Sequence, residues 1–278
     1  MKKIILISLL LVISVMARVE IFPDTASETL QEKPACPLFD AGSVLLIDLT
    51  SGRTLYEMNK NESLRIASLT KIMTGILIIE RINLSTFAKV SSNVRKIKTW
   101  KLGLKPGQKI RMRYLLYTIL LESRNDAALV AAEAIGGTEK NFVKLMNEKA
   151  KKIGAIHTKF TNSHGLDIYG GNFSTVSDLA KIARYALKNP LFAQIVRTEE
   201  KDVYWKGSST HHKKLKNVNK TLFSYEGADG VKTGYTKRAG KCIVATATRN
   251  RRKLLCIILN TKNIWKNTSK MLDYGFSN

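Results

Sequence analysis

Hydrophobic and polar positions change period several times along this chain, and each change predicts an element. Val44 to Thr50 is largely apolar, Ser51-Gly52 reads as a turn, and Arg53 to Met58 resumes, so the three together predict a β-hairpin. A helix is expected from Ala67 or Ser68 to about Ile82, and residues 84 to 110 are mixed, with turn residues in GLKPGQKI. Met112 to Leu121 is too long an apolar run for an ordinary strand and predicts a helix, broken at Glu122 to Asp126. A second helix is expected from Asp126 to Ile135, stopped by Gly136-Gly137, and a third over Asn141 to Ile153, with Phe142, Leu145, Met146 and Ala150 on one side. Thr175 heads a further helix to Leu187, with Asp178 placed for a capping box, and Asn189-Pro190 ends it. Cys242 to Thr248 and Leu254 to Asn260 are apolar strands joined by Arg249 to Arg252, and a last helix carries Ile264, Met271, Leu272 and Phe276.

Strands therefore open the chain, helices fill its middle, and strands with a helix close it. This order predicts an α+β fold in which the first hairpin joins the last strands in one antiparallel sheet, with helices as a subdomain. No internal repeat interrupts it. Ahead of this domain, Met1-Lys-Lys3 is a basic head, Ile4 to Ala17 is apolar but short for a membrane span, and Val15 and Ala17 offer small residues for cleavage. Residues 1–17 are expected to be an export signal, residues 18–39, with Pro23, Pro34 and Pro37, a linker, and residues 40–278 one catalytic domain.

Composition narrows the partners. The 278 residues carry a net charge of +24, and removal of Lys2 and Lys3 with the signal leaves +22. Such a surface favours weak, salt-sensitive contact with an anionic membrane or wall polymer. Nucleic acid is not an expected partner, because no basic stripe interleaves stacking aromatics and the chain is expected to be exported. Three cysteines, Cys36, Cys242 and Cys256, are too few for a disulfide scaffold; a Cys242–Cys256 pair is conceivable, and two buried thiols fit better. The four histidines and three cysteines show no zinc spacing, so no metal is expected.

Three short motifs carry candidate chemistry. In ASLTKIMT, Ser68 and Lys71 lie three residues apart on one helical face, where an amine of lowered pKa can activate a hydroxyl. Alone, that pair arises by chance in many helices. Ser123-Arg124-Asn125 follows a helix break, so a second hydroxyl and an amide can point into a cleft, or simply cap the next helix. Lys232-Thr233-Gly234 offers a cation, a hydroxyl and an open strand edge against which an extended peptide can lie. The three in this order form the serine acyl-transfer set of penicillin-binding proteins and class A β-lactamases.

On these motifs, and on TNSHGLD, STVSDLAKIA, GADGVKTGYTKRAGKCIVATATR and MLDYGF, residues 40 to 276 resemble a low-molecular-weight penicillin-binding protein of the D-alanyl-D-alanine carboxypeptidase family. The resemblance implies a β-lactamase/transpeptidase-like fold, with an antiparallel sheet flanked by helices, and no cofactor. It implies a peptidoglycan stem peptide ending in D-Ala-D-Ala as substrate and β-lactam antibiotics as ligands. Catalytic roles would fall to Ser68, Lys71, Ser123, Asn125 and Lys232, and substrate contacts to Thr233, Gly234, Tyr235 and Arg124. Backbone N–H groups of Ser68 and Tyr235 would form an oxyanion hole.

Two departures from the family pattern stand out. Arg124 replaces a more usual Gly, and the chain stops soon after Tyr274-Gly-Phe276, where many members continue into a β-rich domain and a membrane-binding helix. The alternatives are a D,D-endopeptidase, a β-lactamase, which would need a deacylating Glu that only the surface-like Glu199 and Glu200 offer, and a non-catalytic wall binder. His164 is expected to fix its loop and His211-His212 to form an exposed basic patch. Tyr204 and Trp205 are expected to line the cleft or cap the sheet, and Asp229 to set the turn before Lys232.

Overall fold

The computed structural model describes residues 39–278. The export signal, Cys36 and the linker as far as residue 38 lie outside the described residues. The first hairpin is β1 (Ala41–Asp48) and β2 (Thr54–Met58), turned at Gly52 with the Asp48 carboxylate accepting from Thr50 and Ser51 N–H. Short strand β3 (Leu64–Arg65) leads into a 3₁₀ turn, Ala67–Thr70, and helix α1 (Lys71–Arg81). Next come β4 (Phe87–Lys89), β5 (Lys109–Arg111), α2 (Met112–Leu121), α3 (Asn125–Gly136) and α4 (Glu139–Ile153). β6 (Phe173–Ser174), α5 (Val176–Leu187) and α6 (Pro190–Val196) follow. The chain closes with β7 (Glu200–Lys206), β8 (Thr210–Lys216), α7 (Thr221–Ser224), β9 (Ala228–Thr236), β10 (Gly240–Arg249), β11 (Arg252–Thr261) and α8 (Ile264–Phe276).

The central antiparallel sheet runs β2-β1-β11-β10-β9, so the opening hairpin does join the closing strands, Leu46 opposite Cys256. Alternate residues of these strands feed two different cores. Leu45, Ile47, Cys242, Val244, Leu255 and Ile257 pack with α1, α2, α3 and α5, whereas Val44, Leu46, Ile243, Ala245, Cys256 and Ile258 pack with Ile264, Met271 and Leu272 of α8. Burial of both faces explains why the strands read as unbroken apolar runs instead of alternating ones. It also rules out the Cys242–Cys256 pair: the two thiols are free, buried, and on opposite faces of the sheet.

Several boundaries differ from expectation. The segment at Ala67 and Ser68 is 3₁₀, not α, and the α-helix begins at Lys71. Asn189 does not merely end α5; its side chain accepts from Leu191 and Phe192 N–H and caps α6, with Pro190 at the first helical position. Only half of the capping box at α5 forms: Thr175 accepts from Asp178 N–H, while the Asp178 carboxylate turns to His157 N–H, Thr158 and Lys181. β4 and β5, at the two ends of the mixed stretch, pair with β7 and β8 in a second sheet, β4-β5-β7-β8, that the sequence pattern does not predict.

Candidate active site

The site lies where edge strand β9 meets the 3₁₀ turn. In that helix type residues i and i+3 eclipse, so Lys71 sits over Ser68, and its Nζ donates to Ser68 Oγ at 2.9 Å. The same amine donates to Asn125 Oδ1 at 2.7 Å and to the His164 carbonyl. Lys71 is fully buried. Burial holds its pKa well below the usual lysine value; the Lys232 cation lowers it further and Asp126 partly opposes this. When Lys71 loses the proton directed at Ser68, Asn125 Oδ1 and the His164 carbonyl, which can only accept, hold the two remaining amine hydrogens, and the freed lone pair faces the Ser68 hydroxyl.

Asn125 is fixed in turn: its Nδ2 donates to Thr99 O at 3.0 Å and its backbone N–H to Trp100 O. Neighbouring Asp126 accepts from Leu102, Gly103 and Leu104 N–H, which pins the loop carrying Thr99 and Trp100 over the cleft. Ser123 sits at the break between α2 and α3 with φ of 62°, a left-handed conformation that non-glycine residues adopt mainly where the surroundings enforce it. Ser123, Asn125 and Ser68 line one cleft of about 710 Å³, together with Thr99, Trp100, Thr233, Gly234, Tyr235 and Trp265.

Across the cleft, Lys232 is buried, its Nζ donates to the Thr233 carbonyl, and burial lowers its pKa to about 7. Gly234 lies against the nucleophile turn: a Cβ there would stand 2.9 Å from Ser68 N and 3.1 Å from Ile66 O. By register Lys232 and Gly234 share the helical face of the sheet with Val244 and Cys242, and Thr233 and Tyr235 alternate to the other side of the edge. Asp229 ties β9 to its neighbours by accepting from Thr248 Oγ1 and Lys253 Nζ, instead of forming a turn before Lys232.

Other sequence candidates are placed elsewhere. Arg124 does not line the cleft: its guanidinium pairs with Glu122, donates to Lys101 O and lies over the Trp100 ring. Tyr204 and Trp205 belong to β7 in the second sheet and do not line the cleft. His211 stacks on Trp205 and His212 on Tyr204, where His212 also meets Asp202. His164 is buried and accepts from Leu166 N–H through Nδ1, which shapes its loop; burial, then the Lys71 charge, push its pKa down to about 3. Its carbonyl on Lys71 and the Asp126 clamp on the 102–104 loop are functional contacts that the sequence reading missed. A backbone acceptor leaves no residue-type signal, and Asp126 read only as a first-turn helix residue.

Comparison with known proteins places the chain in a family. The family model for D-alanyl-D-alanine carboxypeptidases, peptidase family S11, matches residues 29–263. The chain belongs to this family. Within it, the chain is 35% identical to D-alanyl-D-alanine carboxypeptidase DacF of Bacillus subtilis, an alignment covering 86% of this chain and 62% of that protein. It is 32% identical to DacB2 of Mycobacterium tuberculosis, covering 91% of this chain and 88% of the relative. Among solved structures, a D-alanyl-D-alanine carboxypeptidase from Mycobacterium tuberculosis superposes with a TM-score of 0.83 at 30% identity, over 89% of this chain and 95% of that one. The Streptomyces K15 DD-transpeptidase gives 0.82 at 30% identity, over 87% and 99%. The fold is thus that of the DD-peptidases, an α+β sandwich. The chain spans 62% of the length of DacF and of Escherichia coli DacC.

Proposed function

We propose that this protein is a serine-type D-Ala-D-Ala carboxypeptidase acting outside the cytoplasm on peptidoglycan stem peptides, and that β-lactams acylate the same serine. The observation that carries this reading is the buried Lys71 amine, 2.9 Å from Ser68 Oγ and oriented by two carbonyl acceptors. Ser68 Oγ attacks the carbonyl carbon of the penultimate D-Ala while its proton passes to Lys71 Nζ. Backbone N–H groups of Ser68 and Tyr235 receive the developing oxyanion, and such preorganised donors usually supply the largest electrostatic term. Ser123 and Lys232 carry a proton to the leaving D-Ala nitrogen as the C–N bond breaks. Thr233 holds the terminal carboxylate, and Asn125 keeps Lys71 in place and contacts the peptide backbone. Water then cleaves the Ser68 ester and releases the shortened peptide. Arg124 is left out of substrate binding, because its side chain is committed to Glu122, Lys101 and Trp100.

The cleft lining favours a peptidase over a β-lactamase. Among the described residues no carboxylate lines it, and Glu200 pairs with Lys214 on the second sheet. An acyl-enzyme formed from penicillin therefore lacks a Glu to drive its hydrolysis. An intact-mass time course with benzylpenicillin on wild type and Ser68→Ala tests this. A persistent adduct on wild type alone, followed by release of D-Ala from a pentapeptide, supports the proposal. No adduct on either protein refutes it, and rapid adduct loss with drug turnover indicates a β-lactamase. Release of peptide from cross-linked dimers, with the pentapeptide left intact, indicates an endopeptidase.

A further inference from the structure

The second sheet arranges charge in a way that the fold alone disfavours. Residues directly opposite in an antiparallel pair share a face, and like charges placed so are destabilising. Here Lys89 lies opposite Lys109, and Lys109 opposite Lys206. Three lysines therefore stand in one row across β4, β5 and β7, all exposed. Neighbouring strands are about 4.8 Å apart, so the row spans about 10 Å, close to the screening length at physiological salt.

The adjacent row adds Arg111 opposite Phe87, and Tyr204 opposite His212. Arg111 and Lys206 both lie over the Phe87 ring, at 4.6 and 5.7 Å. The two carboxylates on this face are already engaged, Glu200 by Lys214 and Asp202 by His212. Among the described residues Lys89, Lys109, Arg111 and Lys206 enter no ion pair with a carboxylate. From the opposite face of the same hairpin, Lys213 pairs with Glu122, one residue before Ser123.

We propose that the exposed face of the β4-β5-β7-β8 sheet docks on an anionic lipid bilayer, with the Lys89-Lys109-Lys206 row and Arg111 over the headgroup phosphates and Phe87 and Tyr204 at the interface. Charge complementarity selects an anionic partner. Shape selects a surface over a chain-like polymer: a polymer is tracked by a basic groove, and none of these four cations lines any of the three main clefts. Phe87 on edge strand β4 and Tyr204 on inner strand β7 are 39% and 44% exposed, and Tyr favours the headgroup region while Phe offers apolar contact at the interface.

The test is co-sedimentation of the full chain with vesicles of phosphatidylcholine plus phosphatidylglycerol, against phosphatidylcholine alone. The triple variant Lys89→Gln, Lys109→Gln, Lys206→Gln is compared with a control of equal charge change on α4: Lys140→Gln, Lys144→Gln, Lys151→Gln. Each lysine near an anionic surface is worth about fivefold in partitioning, so the row variant is expected to lose on the order of a hundredfold and the control much less. Because neutralising the row removes repulsion, the row variant is also expected to melt no lower than wild type. Equal losses in both variants would overturn the proposal in favour of diffuse charge. Unchanged vesicle binding by the row variant, absent vesicle binding by wild type, or a row-dependent affinity for soluble polyphosphate alone would also overturn it. So would a lower melting temperature, since the row would then be serving the fold. None of these readouts uses the peptidase reaction, so this proposal and the catalytic one fail separately.

Discussion

Replacing Gly234 by Ala tests how tightly the nucleophile is clamped. The added Cβ would stand 2.9 Å from Ser68 N, 3.1 Å from Ile66 O and 3.2 Å from Ala67 Cβ, where ordinary contact begins near 3.4 Å. Two of the three neighbours are backbone atoms, so no side chain can swing clear. The turn cannot simply retreat, because Gly165 is packed against its other side; a Cβ at Gly165 would fall 2.0 Å from Ala67 O. Strand β9 is in turn held by its ladder to β10, with Gly234 opposite Cys242. The strand and the turn must therefore separate by about half an ångström, and Ser68 N is a proposed oxyanion donor. Loss of one such donor costs roughly 100- to 1,000-fold, and a displacement of about 1 Å costs roughly 100-fold. A tenfold to hundredfold fall in the rate of benzylpenicillin acylation is expected, with stability lower by about 1–3 kcal/mol from overpacking. Stopped-flow acylation and a thermal melt measure both. Gly52→Ala is the control, because its φ is +80° but nothing lies within 4 Å of the new Cβ. Acylation of Gly234→Ala at the wild-type rate would show that the strand and turn are not rigidly apposed, and the clamp argument would fail.

Two further expectations rest on titration. Acylation should follow a bell-shaped pH profile, rising as Lys71 loses its proton and falling near pH 7 as Lys232 loses its own. In Lys232→Met the like charge that disfavours the Lys71 ammonium is gone, so the rising limb should move to higher pH; a limb that stays or moves down would remove Lys71 as the titrating base. His164 is held neutral to about pH 3 in the fold against 6.5 when unfolded, so the unfolded state binds more protons between those values and stability should fall as pH drops through that window. The full span is worth about 5 kcal/mol. His164→Asn, which keeps an acceptor for Leu166 N–H, should flatten that slope in urea melts at graded pH, and an unchanged slope would assign the acid sensitivity to other groups.

What was legible in the sequence follows from where information is local. The apolar strands and helices were readable because burial on two faces leaves uninterrupted hydrophobic runs, as in β10 and β11. The three motifs were readable because the chemistry needs particular residue types at short spacing. The second sheet was not, because β4 and β5 are three residues each and β7 and β8 bury only Val203, Trp205 and Leu215 fully among charged neighbours. Such strands are specified by long-range pairing, with Ile110 opposite Trp205, which no local window contains. The placement of Arg124 was also out of reach, since Glu122 and Trp100 capture it through contacts that depend on the break after α2.

The two buried lysines show how the fold sustains a reactive site. A buried amine resists protonation, so in the protein Lys71 and Lys232 hold fewer protons than in the unfolded chain below the ordinary lysine pKa. By linkage each lowers stability at neutral pH and restores it as pH rises toward that value. The fold limits this cost unevenly. Lys71 loses little hydrogen bonding when neutral, because Asn125 and His164 still accept both of its hydrogens, whereas Lys232 has the Thr233 carbonyl. Their difference in role follows from this. The better-satisfied neutral amine is the one placed on the serine, and the less-satisfied amine, titrating near 7, stays available as a cation that depresses its neighbour. Burial thus acts against stability and toward reactivity at the same two atoms. It is tolerated because the sheet behind them is packed on both faces, by the helical core on one side and by α8 on the other.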